Sequence, residues 1–319
     1  MTHIVLMHGL LNKPEAATHT RYCVTAIQEG IARNCGHNPT VVFPNKPNES
    51  PMIDGVCVHD AYWADLLYKY PLHNDANYSF DEHYDDEPYI EAKAGELKTY
   101  SEGVADMLRK VALDAKDFVS KPLQSLLKSD GALHGAMNRL VRDLAVYYDD
   151  KAVVFDKNDN AQVNARTAMQ NRLRRIIEPL LVKNEKVVLI AHSMGTIISY
   201  DLLRKLGQEN PNYKLSAYFT LGSPLGLDLV QANIEKLSGN KGEVRTPSIV
   251  QKWINFADKR DPVSADCWLS DDYKPNLANI KVIDDLVCNA YECKGKSNHH
   301  KLYGYLRCPE FSNYLKAAL

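Results

Sequence analysis

Ser193 is the residue whose type and position most directly indicate chemistry in this sequence. It lies in "KVVLIAHSMGTIISYDLLRKL" (186–206), where a strand-like apolar run gives way, at "AHSMG", to apolar residues at helical spacing. A serine at a sharp strand-to-helix turn exposes its hydroxyl, and small residues two positions before and after it allow close packing. The pattern is G-x-S-x-G with Ala191 in the first small position. The alternative is a serine that only caps the helix.

Candidates for a base and an orienting acid follow downstream, as a serine nucleophile requires. "WINFADKRDPVSAD" places Asp258 and Asp261 after an apolar strand, at the sheet edge where active sites of open α/β folds gather. "SNHHKLYGYL" places His299 and His300 between the last predicted strand and the final helix. Each residue also has a simpler interpretation on its own. Asp261 before Pro262 is typical of a turn, and the two histidines are typical of a surface loop. The chain order serine, aspartate, histidine favours an active site.

The sequence also offers two backbone N–H donors for an oxyanion, which acyl-transfer chemistry needs. The first is Met194 N–H, directly after the serine. The second should come from the loop after the first strand, in "IVLMHGLL", where Leu10 is the candidate. Gly9 permits a tight turn there, and we expect His8 to brace the loop rather than to react.

Strand and helix patterns alternate around these residues. Predicted strands cover 4–8, 40–44 ("TVVFP", expected to be buried), 186–191, 216–224, 249–257 and 279–287, and predicted helices cover 15–34, 98–148, 165–184, 195–206 and 310–319. This alternation predicts a mostly parallel sheet flanked by helices on both faces. It fails between about 46 and 159. We therefore predict a single domain, 1–319, with a core of 1–45 and 160–319 and a largely helical inserted cap or lid of about 46–159.

The predicted insertion has two features of its own. "HNDANYSFDEHYDDEPYIE" (73–91) clusters carboxylates that could bind a cation, but no spacing makes them converge, so a solvated loop is preferred. An apolar face formed by Trp63, Leu66, Leu67 and Tyr68 could cover a lipid-binding site or pack into the core.

Composition argues against several functional classes. The net charge of -2 gives no bulk attraction to nucleic acid or to an anionic membrane. No window approaches the roughly 18 apolar residues of a transmembrane segment, and no targeting segment is recognisable, so we expect a soluble, cytoplasmic protein. The seven cysteines are an odd number in a long chain, which favours reduced thiols. One group of residues has side chains that could bind a metal: Cys288, Cys293, His299, His300 and Cys308. Their spacing matches no compact ligand set, so we predict neither a metal nor a cofactor.

In five motifs the chain resembles the lipase- and esterase-like branch of the α/β-hydrolase superfamily. They are "LMHGL", "AHSMG", "FTLGSPLG", "NFADKRDPV" and "NHHKLYGYL", in the family's order, and the resemblance covers about 1–45 and 160–319. It implies the α/β-hydrolase fold and a serine hydrolase that forms an acyl-enzyme without a cofactor. Since the chain starts at what would be the family's third strand, the sheet should lack the family's first strands.

The resemblance also assigns roles to the candidates. Matched motif by motif, Ser193 would be the nucleophile, Asp261 the acid and His300 the base, with Tyr303 three residues after it as in many relatives. His299 and Asp258 are the runner-up triad members, and the oxyanion hole would be formed by Leu10 and Met194.

The sequence therefore predicts hydrolysis of a carboxylic ester, with a small-molecule or lipid ester as substrate. A triad does not select the leaving group, so a serine peptidase, an amidase or an acyltransferase is the first alternative. The second is a catalytically silent binding protein with the same fold.

Overall fold

The structure is a computed structural model that describes residues 1–44, 46, 49–72, 88–103, 142–238, 244–264 and 266–319. Most of the acidic segment 73–91 and the middle of the predicted helix 98–148 lie outside these residues. The strands are β1 (Thr2–Met7), β2 (Val41–Val42), β3 (Met52–Ile53), β4 (Val56–Asp60), β5 (Val153–Asp156), β6 (Ala161–Asn164), β7 (Lys186–His192), β8 (Ala217–Leu221), β9 (Trp253–Ala257), β10 (Val282–Leu286), β11 (Glu292–Cys293) and β12 (Lys296–Ser297).

An eight-stranded sheet lies at the centre, in the order β10-β9-β8-β7-β1-β4-β3-β2. The six strands from β10 to β4 pair in parallel, whereas β3 and β2 continue the sheet antiparallel at one edge. Parallel strands run in one direction, so the carboxyl ends of β1, β7, β8 and β9 all meet at one edge of the sheet.

Helices cover both faces of the sheet. They are α1 (Ala16–Asn34), α2 (Ala165–Val182), α3 (Met194–Glu209), α4 (Asp228–Ser238), α5 (Leu269–Asp272), α6 (Leu302–Tyr305) and α7 (Pro309–Ala318). Alternate residues of a strand point to opposite faces, and in β1 Val5 joins the core cluster under α2, α3 and α4 while Ile4 joins the cluster under α1 and α7. Burial on both faces explains why these strands are continuous apolar runs.

The predicted fold class is confirmed: the chain has the mixed architecture of an α/β-hydrolase, a mostly parallel sheet between two layers of helices. Residues 142–148 are helical, and β5 and β6 form a separate hairpin. Within the described ranges, no helix is long and apolar enough to cross a membrane.

The structure differs from the sequence prediction in the second strand. In place of a buried strand at 40–44 there is only the two-residue edge strand β2, in which Val42 is 55% exposed. Pro39 and Pro44 flank this run, and because proline cannot donate to a ladder, the segment pairs only briefly and at an edge.

The main sheet also extends into the interval predicted to be an insertion. β3 and β4 lie within 46–159, yet β4 pairs with β1 in the centre of the sheet. Their tight connection contains Asp54 (φ 48°) and Gly55 (φ 79°), left-handed conformations that an Asp-Gly hairpin turn uses. The dipeptide "DG" between "MI" and "VCV" was the signal for this hairpin.

Candidate active site

Ser193 occupies the turn between β7 and α3 in a strained conformation. Its φ of 53° and ψ of -130° lie in a region that residues with side chains rarely adopt, at a cost of about 1–3 kcal/mol. It stands at the N-cap position of α3, but its side chain makes no capping hydrogen bond. Its Oγ instead lies 2.9 Å from Nε2 of His300. The turn therefore directs the hydroxyl away from the helix that the serine precedes.

Two glycines allow the backbone to approach closely enough to hold this turn. A Cβ on Gly195 would lie 2.5 Å from the carbonyl oxygens of Met7 and His8, and a Cβ on Gly9 would lie 2.6 Å from Cβ of Ser193. A Cβ carbon does not approach a non-bonded atom this closely, so either substitution would force β1 and α3 apart. This is the packing for which the second small position of "AHSMG" is needed.

His300 joins the serine to a carboxylate. Its Nδ1 lies 2.8 Å from Oδ2 of Asp261, and its Nε2 faces Ser193. All three residues are buried: Ser193 is 1% exposed, His300 3% and Asp261 2%. A buried chain of this kind is screened little by solvent, so the charge on Asp261 acts strongly on the imidazole.

The Asp261 carboxylate is held by donors on both oxygens. Val263 N–H donates to Oδ1 at 2.8 Å, and the hydroxyl of Tyr305 donates to Oδ2 at 2.7 Å. Burial raises the pKa of Tyr305 well above its ordinary value, so this hydroxyl stays protonated and remains a donor. Gly222 (φ 53°) leaves room for the carboxylate, because a Cβ there would lie 2.7 Å from Oδ2 of Asp261.

The backbone of His300 is fixed from two sides. His192 Nε2 donates to the His300 carbonyl oxygen at 2.7 Å, and His300 N–H donates to Oδ1 of Asn298 at 3.1 Å. Burial, followed by the neighbouring His300, lowers the pKa of His192 well below its ordinary value, so His192 is neutral and donates one proton only. The loop that carries the base is thereby attached to the turn that carries the serine.

His8 braces the loop after β1. Trp63 N–H donates to His8 Nε2 at 2.9 Å, so the ring carries its proton on Nδ1 and donates it to the Gly9 carbonyl oxygen at 2.8 Å. Burial lowers the pKa of His8 well below its ordinary value and keeps the ring neutral. Trp63 stacks on this ring and is fully buried, so of the two interpretations of the apolar face, Trp63 belongs to the core.

Two residues near Ser193 are those predicted to form an oxyanion hole. Leu10 lines the same pocket as Ser193, and Met194 opens α3 directly after it. The next residue of the loop, Leu11, has φ 68°, a left-handed conformation. That the two N–H groups bind an oxyanion stays a prediction.

The side chains of the two runner-up residues bond to groups other than Ser193, His300 and Asp261, although the Asp258 N–H donates to the Tyr305 hydroxyl at 3.2 Å. Asp258 pairs with Arg260 at 2.6 Å and accepts from Asn289 N–H at 2.6 Å. His299 Nδ1 donates to the Asn289 carbonyl oxygen at 2.8 Å, and burial lowers the pKa of His299. Asp258 thereby joins the loop after β9 to the loop after β10, and His299 joins the segment after β12 to that same loop after β10.

The described residues contain no arrangement of three or more His, Cys, Asp or Glu side chains that could hold a metal ion. All seven cysteines are free thiols. The space in front of Ser193 is narrow, about 20 Å³, which is room for roughly one water molecule.

Residues 144–246 match the model of the lecithin:cholesterol acyltransferase family. The match spans about a third of the chain, from the helical segment 142–148 to just beyond α4, and it contains Ser193. Asp261 and His300 lie outside it. No curated protein sequence matches the chain. Over the segment that carries the serine, the chain is therefore similar to a lipase-like and acyltransferase family, which agrees with the α/β-hydrolase fold.

Sequence reasoning missed several residues around the triad. The roles of Tyr305 and His192 become visible only from the hydrogen bonds they donate. Lys13 and Lys301 were not singled out, although both line the pocket in front of Ser193. Their signal was position: Lys13 follows "HGLL" closely, and Lys301 is the residue after His300.

Proposed function

We propose that the protein is a serine hydrolase that cleaves carboxylic esters through an acyl-enzyme on Ser193. The proposal is carried by the two linked distances, 2.9 Å from Ser193 Oγ to His300 Nε2 and 2.8 Å from His300 Nδ1 to Asp261 Oδ2. A nucleophile, base and acid in hydrogen-bond contact are the geometric signature of nucleophilic catalysis. Their place at the carboxyl edge of the sheet is where ligands bind in open α/β folds.

The mechanism follows from these contacts. His300 takes the proton of Ser193 as Oγ attacks the ester carbonyl, and Asp261 stabilises the imidazolium that forms. The N–H groups of Leu10 and Met194 stabilise the tetrahedral oxyanion, where one such donor contributes about 3–4 kcal/mol to lowering the barrier. The proton on His300 then passes to the departing alcohol. Water, activated by the same imidazole, finally attacks the acyl-enzyme and releases the acid.

A second candidate is acyl transfer to an alcohol, with a lipid ester as the donor. The matching family is named for acyl transfer between lecithin and cholesterol, and its model matches the segment that contains Ser193. The two functions share every step up to the acyl-enzyme. They differ only in whether water or an acceptor alcohol attacks it.

Active-site labelling tests the proposal. A fluorophosphonate probe should label the wild type and leave Ser193→Ala unlabelled, and a panel of esters of graded acyl length should be hydrolysed only by the wild type. Ser199→Ala serves as the control, because Ser199 is a buried hydroxyl further along α3 that makes no hydrogen bond to Ser193 among those of the described residues. Equal labelling of wild type and Ser193→Ala would sink the assignment. Adding an acceptor alcohol then separates the two functions: an ester product indicates transfer, and free acid alone indicates hydrolysis.

A further inference from the structure

Trp63 holds His8, the residue before Gly9, with two separate donors. Its backbone N–H donates to Nε2 of the His8 ring at 2.9 Å, and its indole Nε1–H donates to the His8 carbonyl oxygen at 2.9 Å. The two rings are stacked, with their centres 4.9 Å apart, and both residues are fully buried. One residue therefore fixes both the ring and the peptide carbonyl of His8.

The His8 ring passes this constraint on to the peptide group between Gly9 and Leu10. Because Nε2 accepts from Trp63, the neutral ring carries its proton on Nδ1 and donates it to the Gly9 carbonyl oxygen at 2.8 Å. The Gly9 carbonyl and the Leu10 N–H belong to one planar trans peptide, in which they point in opposite directions. A bond that fixes the direction of the Gly9 carbonyl therefore also fixes the direction of the Leu10 N–H.

This peptide group lies beside the nucleophile. A Cβ on Gly9 would lie 3.2 Å from Oγ of Ser193 and 2.9 Å from Nδ1 of His192. Leu10, which carries the N–H, lines the pocket in front of Ser193. Hydrogen bonds in a chain polarise one another, so a donor on the Gly9 carbonyl also strengthens the Leu10 N–H as a donor.

The residues just before Trp63 hold the far end of the same loop. The hydroxyl of Tyr62 donates to the Pro14 carbonyl oxygen at 2.9 Å, and Oδ2 of Asp60 lies 2.6 Å from Nδ1 of His19. The segment that follows β4 thus holds both the loop after β1 and the beginning of α1. The contacts of Trp63 are those that reach the part of the loop next to the serine.

We propose that Trp63 is a positioning residue for the oxyanion hole, acting through His8 and the Gly9 carbonyl on the Leu10 N–H. This inference rests on the proposed function, since the Leu10 N–H is a catalytic donor only if Ser193 forms an acyl-enzyme. An oxyanion donor is effective because it is fixed before the reaction begins, and a small misplacement is costly. Trp63 is not among the described residues that line the pocket, so it acts without contacting the substrate.

Trp63→Phe tests this role, because phenylalanine keeps a ring and the backbone N–H but lacks the indole N–H. On the ester that the wild type hydrolyses fastest, kcat should fall by about tenfold or more while KM changes by less than about threefold, since the alignment matters in the transition state. An alkyl trifluoromethyl ketone of matching chain length forms a hemiketal oxyanion on a serine. Its Ki should rise by about the same factor as kcat/KM falls.

Trp253→Phe is the matched control. Trp253 is also fully buried, and its indole N–H donates to the Thr220 hydroxyl at 3.1 Å, so the substitution removes the same buried donor at another place. It should lower the Tm, as Trp63→Phe does, while kcat and the Ki of the ketone change by less than about threefold. Equal effects of the two substitutions on kcat, or an unchanged Ki in Trp63→Phe, would overturn the positioning role.

Nuclear magnetic resonance of the isotope-labelled wild type gives a readout that does not require Trp63→Phe to fold. The proton of the His8 ring should be on Nδ1, and the amide proton of Leu10 should move downfield when the ketone binds. A proton on Nε2, or an unmoved Leu10 amide in the ketone adduct, would overturn the positioning role and leave the proposed function standing. A wild type that forms no ketone adduct and takes up no fluorophosphonate would overturn the proposed function itself.

Discussion

Two pairs of like residues, close together in the chain, have different surroundings in the fold. Asp258 and Asp261 follow the same strand and are both 2% exposed. Asp261 faces His300 and the Tyr305 hydroxyl, whereas Asp258 faces Arg260 and the Asn289 backbone N–H. His300 faces Ser193, whereas its neighbour His299 bonds to a carbonyl oxygen. Burial alone therefore does not distinguish a catalytic from a bracing role; the partner does.

The comparison also shows how the two roles depend on each other. The bracing residues act on the loop that contains Asn289, and the Asn289 side chain in turn donates to the Lys301 carbonyl oxygen at 2.9 Å, next to His300. Each bracing residue thus influences the base through the backbone. Within each pair, substitution of the residue that bonds towards Ser193 should change turnover directly, and substitution of the bracing residue should change stability first.

The histidine pair should show the largest contrast. His300→Ala should lower kcat by about 10⁴-fold or more, because Ser193 loses its base. His299→Ala should lower it by less than about tenfold, since it removes a bond between two loops. Ester turnover at saturating substrate checks both, with circular dichroism to establish folding. A greater loss with His299→Ala would reverse the assignment.

The two aspartates should differ in the same way, with a large effect on turnover at Asp261 and an effect on stability at Asp258. Asp261→Asn should lower kcat by about 10³- to 10⁴-fold, because an amide does not stabilise the imidazolium. Asp258→Asn should instead lower the free energy of unfolding by about 1–3 kcal/mol, since it weakens a buried acceptor of four N–H groups, three of Arg260 and one of Asn289. Turnover and urea unfolding, measured on the same preparations, decide the matter. A stable but inactive Asp258→Asn would contradict the comparison.

Tyr305→Phe should have an intermediate effect through Asp261. The loss of one hydroxyl donor should lower kcat by about tenfold or less. The carboxylate, left with one donor fewer, should hold the proton on His300 more tightly. The acid limb of the profile of kcat/KM against pH should therefore move to higher pH. Loss of stability with an unmoved acid limb would show that Tyr305 only packs.

A third buried carboxylate, Asp201 on α3, should have the smallest effect on turnover. Burial raises its pKa to about 6, and Tyr147 OH donates to it at 2.9 Å. The folded state holds a proton there that the unfolded state has released, so this group should lower stability as the pH rises from about 4 to 6.

Asp201→Asn should remove that pH dependence and raise stability at pH 7 by roughly 2–3 kcal/mol, at about 1.4 kcal/mol per pKa unit. Asp271→Asn, at an exposed position, is the control and should change little. Urea unfolding between pH 4 and 8 measures both. An unchanged slope in Asp201→Asn would show that Asp201 is ionised throughout this range.

The local pattern of apolar and polar residues in the sequence was sufficient to predict much of the fold. The strands β1, β7, β8 and β9 are apolar runs because helices cover both of their faces, and such runs are visible in the sequence. The position of Ser193 followed from the strand before it and the helix after it. The hairpin of β3 and β4 escaped because its strands are short, although Asp54-Gly55 marked its turn.

The sequence did not show which side chains would bond to each other. Asp258 and Asp261 lie three residues apart in one loop, and no periodicity tells which of them faces His300. Tyr305 acts through its contact with Asp261, which is distant from it in the chain. Such contacts depend on how loops from different strands meet, which single-sequence patterns do not encode.

The central claim is that Ser193 and His300 act as one unit. The most direct test measures kcat for Ser193→Ala, His300→Ala and the double variant on one ester. If the residues work together, removing the second costs little once the first is gone, and the double variant should be about as slow as either single one. Losses that multiply in the double variant would show that the two residues act independently, and would contradict the account.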